Sequence, residues 1–178
     1  MMAIQKVIKM GHPLLFQQAK KVEDFNTPEL DNLLVDMKDT MEHLNGAGLA
    51  APQIAISLRV VIFGVTSNPR YPDIEDIAET ILINPEITVL DGEKESGWEG
   101  CLSVPHMRGL VPRYKSIKYR GYNQFGELIE REASGFHARV VQHEVDHLDG
   151  ILYPQRIENI QNFGFEDALF ENVHEVEL

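Results

Sequence analysis

The sequence predicts an α+β fold, with antiparallel sheets packed around a central helix that carries an H-E-x-x-H motif. Three observations support this. An early stretch repeats apolar residues at helical spacing. The apolar and alternating runs that follow lack the intervening helices of repeated βαβ units, so antiparallel pairing is expected. A late stretch, Gln142-His143-Glu144-Val145-Asp146-His147, sits among Ala138, Val140, Val141 and Leu148, with Gly150 as a stop. At 178 residues, one domain spanning 1–178 is expected, long enough to bury a core.

The elements follow in order. Ile4 to Met10 alternate weakly and break at Gly11-His12-Pro13, where His12 reads as a structural or solvated turn residue. Thr27 suits a helix N-cap and Pro28 the first helical position, and Gly46 is expected to end the run. Between them Leu30, Leu33, Leu34, Met37, Met41 and Leu44 mark a core face, while His43 reads as solvated. Gly46 to Gln53 is a run of small residues without the ending of a phosphate loop. It permits close backbone approach, to a ligand or to another strand. Leu58 to Val65 reads as a buried strand, 67–79 as a long loop, and Ile81 to Leu90 as a strand interrupted at Pro85. Asp91 to Gly97 reads as a polar turn. Lys115 to Tyr122 and Glu127 to Ala133 alternate around Asn123-Gln124-Phe125-Gly126, a hairpin signal. Ile157 to Leu178 is acidic and weakly periodic, so a short helix or a frayed tail is expected.

The motif carries the chemistry. A helix turns about 100° per residue, so His143 and His147 stand one turn apart and can reach one ion. Glu144 projects beside them as a base that need not be a ligand. A buried helix with two hydrogen-bonded histidines is the plainer reading, and a third ligand would lift the motif above it. The extended zinc-protease pattern would place a histidine where Tyr153 stands. A downstream carboxylate, Glu166 or Glu171, and the lone cysteine, Cys101, remain as candidates. Cys101 lies in an irregular stretch between a glycine and a proline, and a thiolate with two imidazoles suits a borderline divalent ion.

Composition narrows the classes. One cysteine excludes an intrachain disulfide, and no apolar run approaches membrane-spanning length. The N-terminus shows no signal-peptide pattern, so a soluble cytoplasmic protein is expected. A formal charge of −12 argues against extended nucleic-acid binding.

Three stretches, Gly46 to Gln53 (G-x-G-x-A-A-x-Q), Glu99 to Ser103 (E-G-C-L-S) and Gln142 to His147 (Q-H-E-x-D-H), resemble the peptide deformylase family, in that family's order. The resemblance implies a hydrolase that removes the formyl group from N-formylmethionyl nascent peptides. It implies Cys101, His143 and His147 as metal ligands, Glu144 as general acid/base, and Gln53 with the Leu102 N–H as oxyanion donors. It implies further that the Gly48 backbone holds an extended substrate and that Val140 lines the methionine pocket. Ferrous iron is the metal it implies, with zinc, nickel or cobalt as substitutes. The acidic tail departs from the basic helix with which some members are thought to dock on the ribosome. Transient ribosome contact stays an expectation, with Arg108 and Arg113 as contacts for the nascent chain or RNA, against their reading as ordinary surface charges. The rival classes are a peptidase using Glu166 and a metal-stabilised binding protein. The latter has no need of an intact Glu144 and Gln53.

Overall fold

The computed structural model describes residues 4–65 and 76–175. Helix α1 (Pro28–His43) begins where the sequence predicts it, with the Thr27 hydroxyl accepting from the Leu30 N–H. Its stop is refined by one residue. Asn45 takes the left-handed conformation at φ 52°, while Gly46 N–H bonds back to Met41 O and Asn45 N–H to Glu42 O. This is a Schellman ending with asparagine in the position expected of the glycine.

The strands form two antiparallel sheets. The larger contains β1 (Gly48–Ala50), β2 (Val60–Val65), β3 (Ile77–Val89), β6 (Ser116–Tyr122) and β7 (Leu128–Ser134), in the order β1-β2-β3-β6-β7. The smaller contains β4 (Lys94–Cys101), β5 (Val104–Tyr114) and β8 (Phe163–Phe165), in the order β4-β5-β8. Helix α2 (Gly135–Leu148) contains the H-E-x-x-H motif, and α3 (Glu166–Glu175) follows β8. Among the described residues no helix is long and apolar enough to cross a membrane.

The alternation of β2 explains why it is apolar throughout. Val61, Phe63 and Val65 pack in one core with Ala138, Val141, Val145 and Leu148 of α2. Val60 and Ile62 pack in a second core with Leu30, Leu34, Met37 and Met41 of α1. Successive side chains of a strand point to opposite faces, and here both faces are covered by a helix. The smaller sheet has only a small apolar cluster of its own, around Val104, Val111 and Tyr153.

Several expectations are corrected. The segment read as a polar turn is β4 from Lys94 onward, because its residues pair with β5 from Lys94↔Tyr114 to Glu99↔Gly109. Strand β3 starts at Ile77, inside the stretch read as a long loop, and Ser67 to Asp73 lie outside the described residues. The tail read as helix or frayed chain contains strand β8, paired with β5, before α3 begins. The expected interruption at Pro85 is present as a register shift between Ile83 and Glu86, with Asn84 at φ 50°. The hairpin at Asn123 also forms, with Asn123 and Glu127 closing it and Gly126 at φ 79°.

Candidate active site

Four stretches meet at one cavity, whose lining includes Gly48, Gln53, Cys101, Val140, His143 and Glu144. Leu102, in the turn between β4 and β5, lines it as well. Every residue the family resemblance assigns to the site therefore lines this cavity or, for His147, belongs to the cluster beside it.

Cys101, His143 and His147 form that cluster, their ligand-capable atoms all within 4.8 Å of one another. Cys101 Sγ lies 3.3 Å from His147 Nε2. Bond lengths of about 2.3 Å to sulfur and 2.0 Å to nitrogen place two tetrahedral ligand atoms roughly 3.5 Å apart, so the pair fits a shared ion. Burial pushes the His147 pKa well below the usual imidazole range. His143 presents its Nδ1 to Glu99 Oε2 at 2.9 Å, which leaves Nε2 for an ion. The donor set fits a single divalent metal. Of the rival ligands, Glu166 pairs with Arg108 at 3.0 Å and stands outside the cluster. The side chain of Glu171 lies outside the described residues. Tyr153, where the extended zinc-protease pattern would place a histidine, stacks on the His143 ring, centroids 6.1 Å apart.

Glu144 is 5% exposed, and its Oε2 has no hydrogen-bond partner among the described residues. Burial pushes its pKa up to about 7, and a cation held by the neighbouring ligands would draw it back down. Space for this side chain depends on Gly48. A Cβ there would stand 2.4 Å from Glu144 Oε1. The close approach expected to a ligand or another strand is found to strand β2, with which β1 pairs, and also to the Glu144 side chain of α2.

The Gln53 carboxamide has a fixed orientation. Its Oε1 accepts from the Ala50 N–H at 2.9 Å, so its NH2 faces Ser103 Oγ at 3.1 Å and Cys101 Sγ at 3.4 Å. The 3₁₀ turn Ala51–Ile54 supplies this placement between β1 and β2.

Sequence reasoning missed the charges behind the cluster. Glu99 and Cys101 both lie on β4, with a register shift against β5 between them, and the Glu99 carboxylate reaches His143 Nδ1 behind the cluster. Arg113 was read as a contact for nascent chain or RNA, or as a surface charge. It is 4% exposed and grips Glu99 with two bonds of 2.9 Å. Arg139 adds a 2.8 Å bond to the same carboxylate. Burial alone would raise the Glu99 pKa, but the bonds from Arg113 and His143 outweigh it and hold it well below the usual carboxylate range. Arg108 lines the cavity and is tied to Glu166. The i, i+2 spacing of Glu99 and Cys101 was the available signal. Nothing local could show that an arginine fourteen residues on would fold back, because that pairing depends on the β4–β5 register.

A thiol-imidazole cluster beside a buried carboxylate and an oriented amide donor belongs to the metal-dependent hydrolases. The comparisons with known proteins narrow that class. The polypeptide deformylase family model matches residues 4–163. Peptide deformylase 1 of Nitrosomonas europaea is 60% identical over 167 residues, covering 94% of this chain and 95% of the relative. Peptide deformylase 2 of Bordetella bronchiseptica is 58% identical with the same coverage. The crystal structure of the Acinetobacter baumannii class I type b peptide deformylase with Met-Ala-Ser bound superposes with a TM-score of 0.85. That match is at 43% identity and covers 88% of this chain and all of the other. The chain belongs to the polypeptide deformylase family.

Proposed function

We propose that this chain is a peptide deformylase that hydrolyses the formyl group from the N-terminal formylmethionine of newly made polypeptides, releasing formate. The observation that carries this reading is the convergence of Cys101, His143 and His147 within 4.8 Å, beside the buried Glu144. Membership of the deformylase family supports it. The catalytic unit is taken as one domain, 1–178, built around α2 as its central helix.

In this reading Cys101, His143 and His147 hold one metal ion, ferrous iron, which zinc, nickel or cobalt can replace. When bound, the ion supplies Lewis-acid chemistry, making hydroxide available from water near neutral pH and polarising the formyl oxygen. Glu144 accepts the proton of the attacking water and delivers it to the leaving amine, a role worth roughly 10²–10⁴-fold in rate. The Gln53 NH2 and the Leu102 N–H donate to the oxygen of the tetrahedral intermediate, each such donor being worth about 3 kcal/mol. The Gly48 backbone on the edge strand β1 aligns the peptide in extended form, and Val140, one turn before His143, lines the methionine pocket. Partners are formylmethionyl nascent chains, with transient ribosome contact, no specific nucleic-acid binding and a cytoplasmic setting. The burial of Arg113 removes it from any ribosome-facing surface.

The test is formate release from formyl-Met-Ala-Ser by anaerobically purified protein, beside Cys101→Ala and Glu144→Ala, with metal content measured in each. Activity lost in both variants, with metal retained only by Glu144→Ala, is expected. Chelation of the wild type should abolish turnover, and ferrous iron should restore it. Activity that survives Cys101→Ala overturns the ligand set.

A further inference from the structure

Behind the metal cluster a line of alternating charges runs from His143 to the far surface. His143 Nδ1 meets Glu99 Oε2, and Glu99 is gripped by Arg113 through Nε and Nη2, each at 2.9 Å. The remaining Arg113 nitrogen, Nη1, donates to Asp146 Oδ2. Asp146 in turn is held by Arg156, through Nε at 2.9 Å and Nη2 at 2.6 Å. Side-chain exposure rises along this line, from 4% at Glu99 and Arg113 to 10% at Asp146 and 42% at Arg156. Arg156 is thus its outer end, and it is not among the residues that line the candidate cavity.

We infer that Arg156 is a positioning residue for the metal centre, acting on His143 through Asp146, Arg113 and Glu99. The inference rests on the proposed metal site and concerns how that site is held rigid.

The physical reason is a competition for Arg113. Its guanidinium serves two carboxylates, Glu99 on one edge and Asp146 on the other. With Arg156 in place, Asp146 is held from its outer side by a two-bond fork and need not draw Arg113 away from Glu99. Without that fork, Asp146 depends on Arg113 alone, Arg113 is drawn from Glu99 toward it while Arg139 still holds the other side of Glu99, and the alignment of Glu99 on His143 Nδ1 loosens. Hydrogen bonds to the outer nitrogen of a ligating histidine fix its ring orientation and tautomer. A second contact comes from the same short element. Arg156 ends the 3₁₀ turn Tyr153–Arg156, whose Tyr153 stacks on the His143 ring at an interplanar angle of 24°. The turn therefore supports His143 twice, directly through Tyr153 and at a distance through Arg156.

The experiment loads the full-length protein with Co²⁺ as a visible probe. It compares wild type, Arg156→Met, Arg156→Lys and Arg120→Met. Arg120 forms a comparable two-bond pair with Glu86 on the surface, unconnected to His143, and serves as the control. Three quantities are read: the rate of Co²⁺ loss to a chelator, the Co²⁺ absorption bands, and kcat and KM on formyl-Met-Ala-Ser. Arg156→Met should release Co²⁺ about tenfold faster, the low end of what outer-shell changes cost, with shifted bands and a lower kcat at near-wild-type KM. Arg156→Lys, which keeps the charge but not the fork, should fall between. It also carries the test if the methionine variant does not fold. Arg120→Met should match wild type throughout. Wild-type release and bands in Arg156→Met would overturn the inference, as would equal effects in Arg120→Met. If Co²⁺-loaded wild type releases no formate, the proposed activity fails while the release rates and spectra still decide the role of Arg156. Failure of wild type to bind Co²⁺ overturns both.

Discussion

Gly48→Ala tests the closeness of β1 to the proposed base. A Cβ at this position would lie 2.4 Å from Glu144 Oε1, 2.6 Å from Cδ and 2.8 Å from Cγ. Ordinary carbon contacts lie at about 3.5–4.0 Å, so three consecutive atoms are short by roughly 1 Å. Turning the carboxylate alone relieves only the outermost contact. Either Glu144 changes rotamer inside a buried site, or α2 retreats from β1. Misplacing a reacting group by about 1 Å can cost about 10²-fold in rate, and overpacking a core costs about 1–3 kcal/mol. The variant should therefore lose roughly 100-fold in kcat/KM for formate release, melt several degrees lower, and retain its metal. The double variant Gly48→Ala/Glu144→Ala separates the two effects. Removing the side chain removes the clash, so stability should recover relative to Gly48→Ala while activity stays at the Glu144→Ala level. Additive stability losses, or a Gly48→Ala enzyme with wild-type kcat, would refute the reasoning.

Two further substitutions probe neighbouring groups. Gln53→Ala removes an oriented donor and should lower kcat by about 10²–10³ with metal retained; a loss below tenfold would deny it an oxyanion role. It also orphans the buried Ala50 N–H, so a modest drop in melting temperature is expected. Glu99→Ala leaves Arg113 and Arg139 buried without their carboxylate and should cost about 3–5 kcal/mol, read by denaturant unfolding, with faster metal loss. The pH dependence follows from the depressed Glu99 pKa. Its contribution is fully present above the unfolded glutamate value of about 4.3 and is lost as pH falls through the lower folded value. Wild type should therefore keep this share of its stability at pH 5, and Glu99→Gln should flatten the acid limb below it.

Local patterns made α1, β2, the Asn123 hairpin and α2 legible in the sequence, because each is encoded by spacing, a cap or a turn within a few residues. Thr27 and Gly150 mark helix ends by chemistry that acts over one turn. The larger misreadings have a common physical origin in the smaller sheet. Lys94 to Gly97 is polar and rich in charge, and it becomes strand only because β5 pairs with it. Phe163 to Phe165 is too short to announce itself and is strand only against Met107 to Gly109. Arg113 looked solvent-exposed because its two carboxylate partners come from β4 and α2. For the site, the motifs named the residues that face the cavity. The charges that hold those residues became visible only with the register of β4 on β5.

The two sheets differ in what fastens them to α2, and this has a consequence for how the molecule comes together. The larger sheet is joined by an extensive apolar interface, which needs no ion to form. The smaller has little grease of its own and is joined through Glu99, Arg113, Arg139 and the thiol of Cys101. An ion shared by Cys101 and the two histidines would act as a clasp between chain segments more than forty residues apart. Metal affinity and the docking of β4-β5-β8 are then coupled, and docking raises metal affinity by the same factor by which a bound metal favours docking.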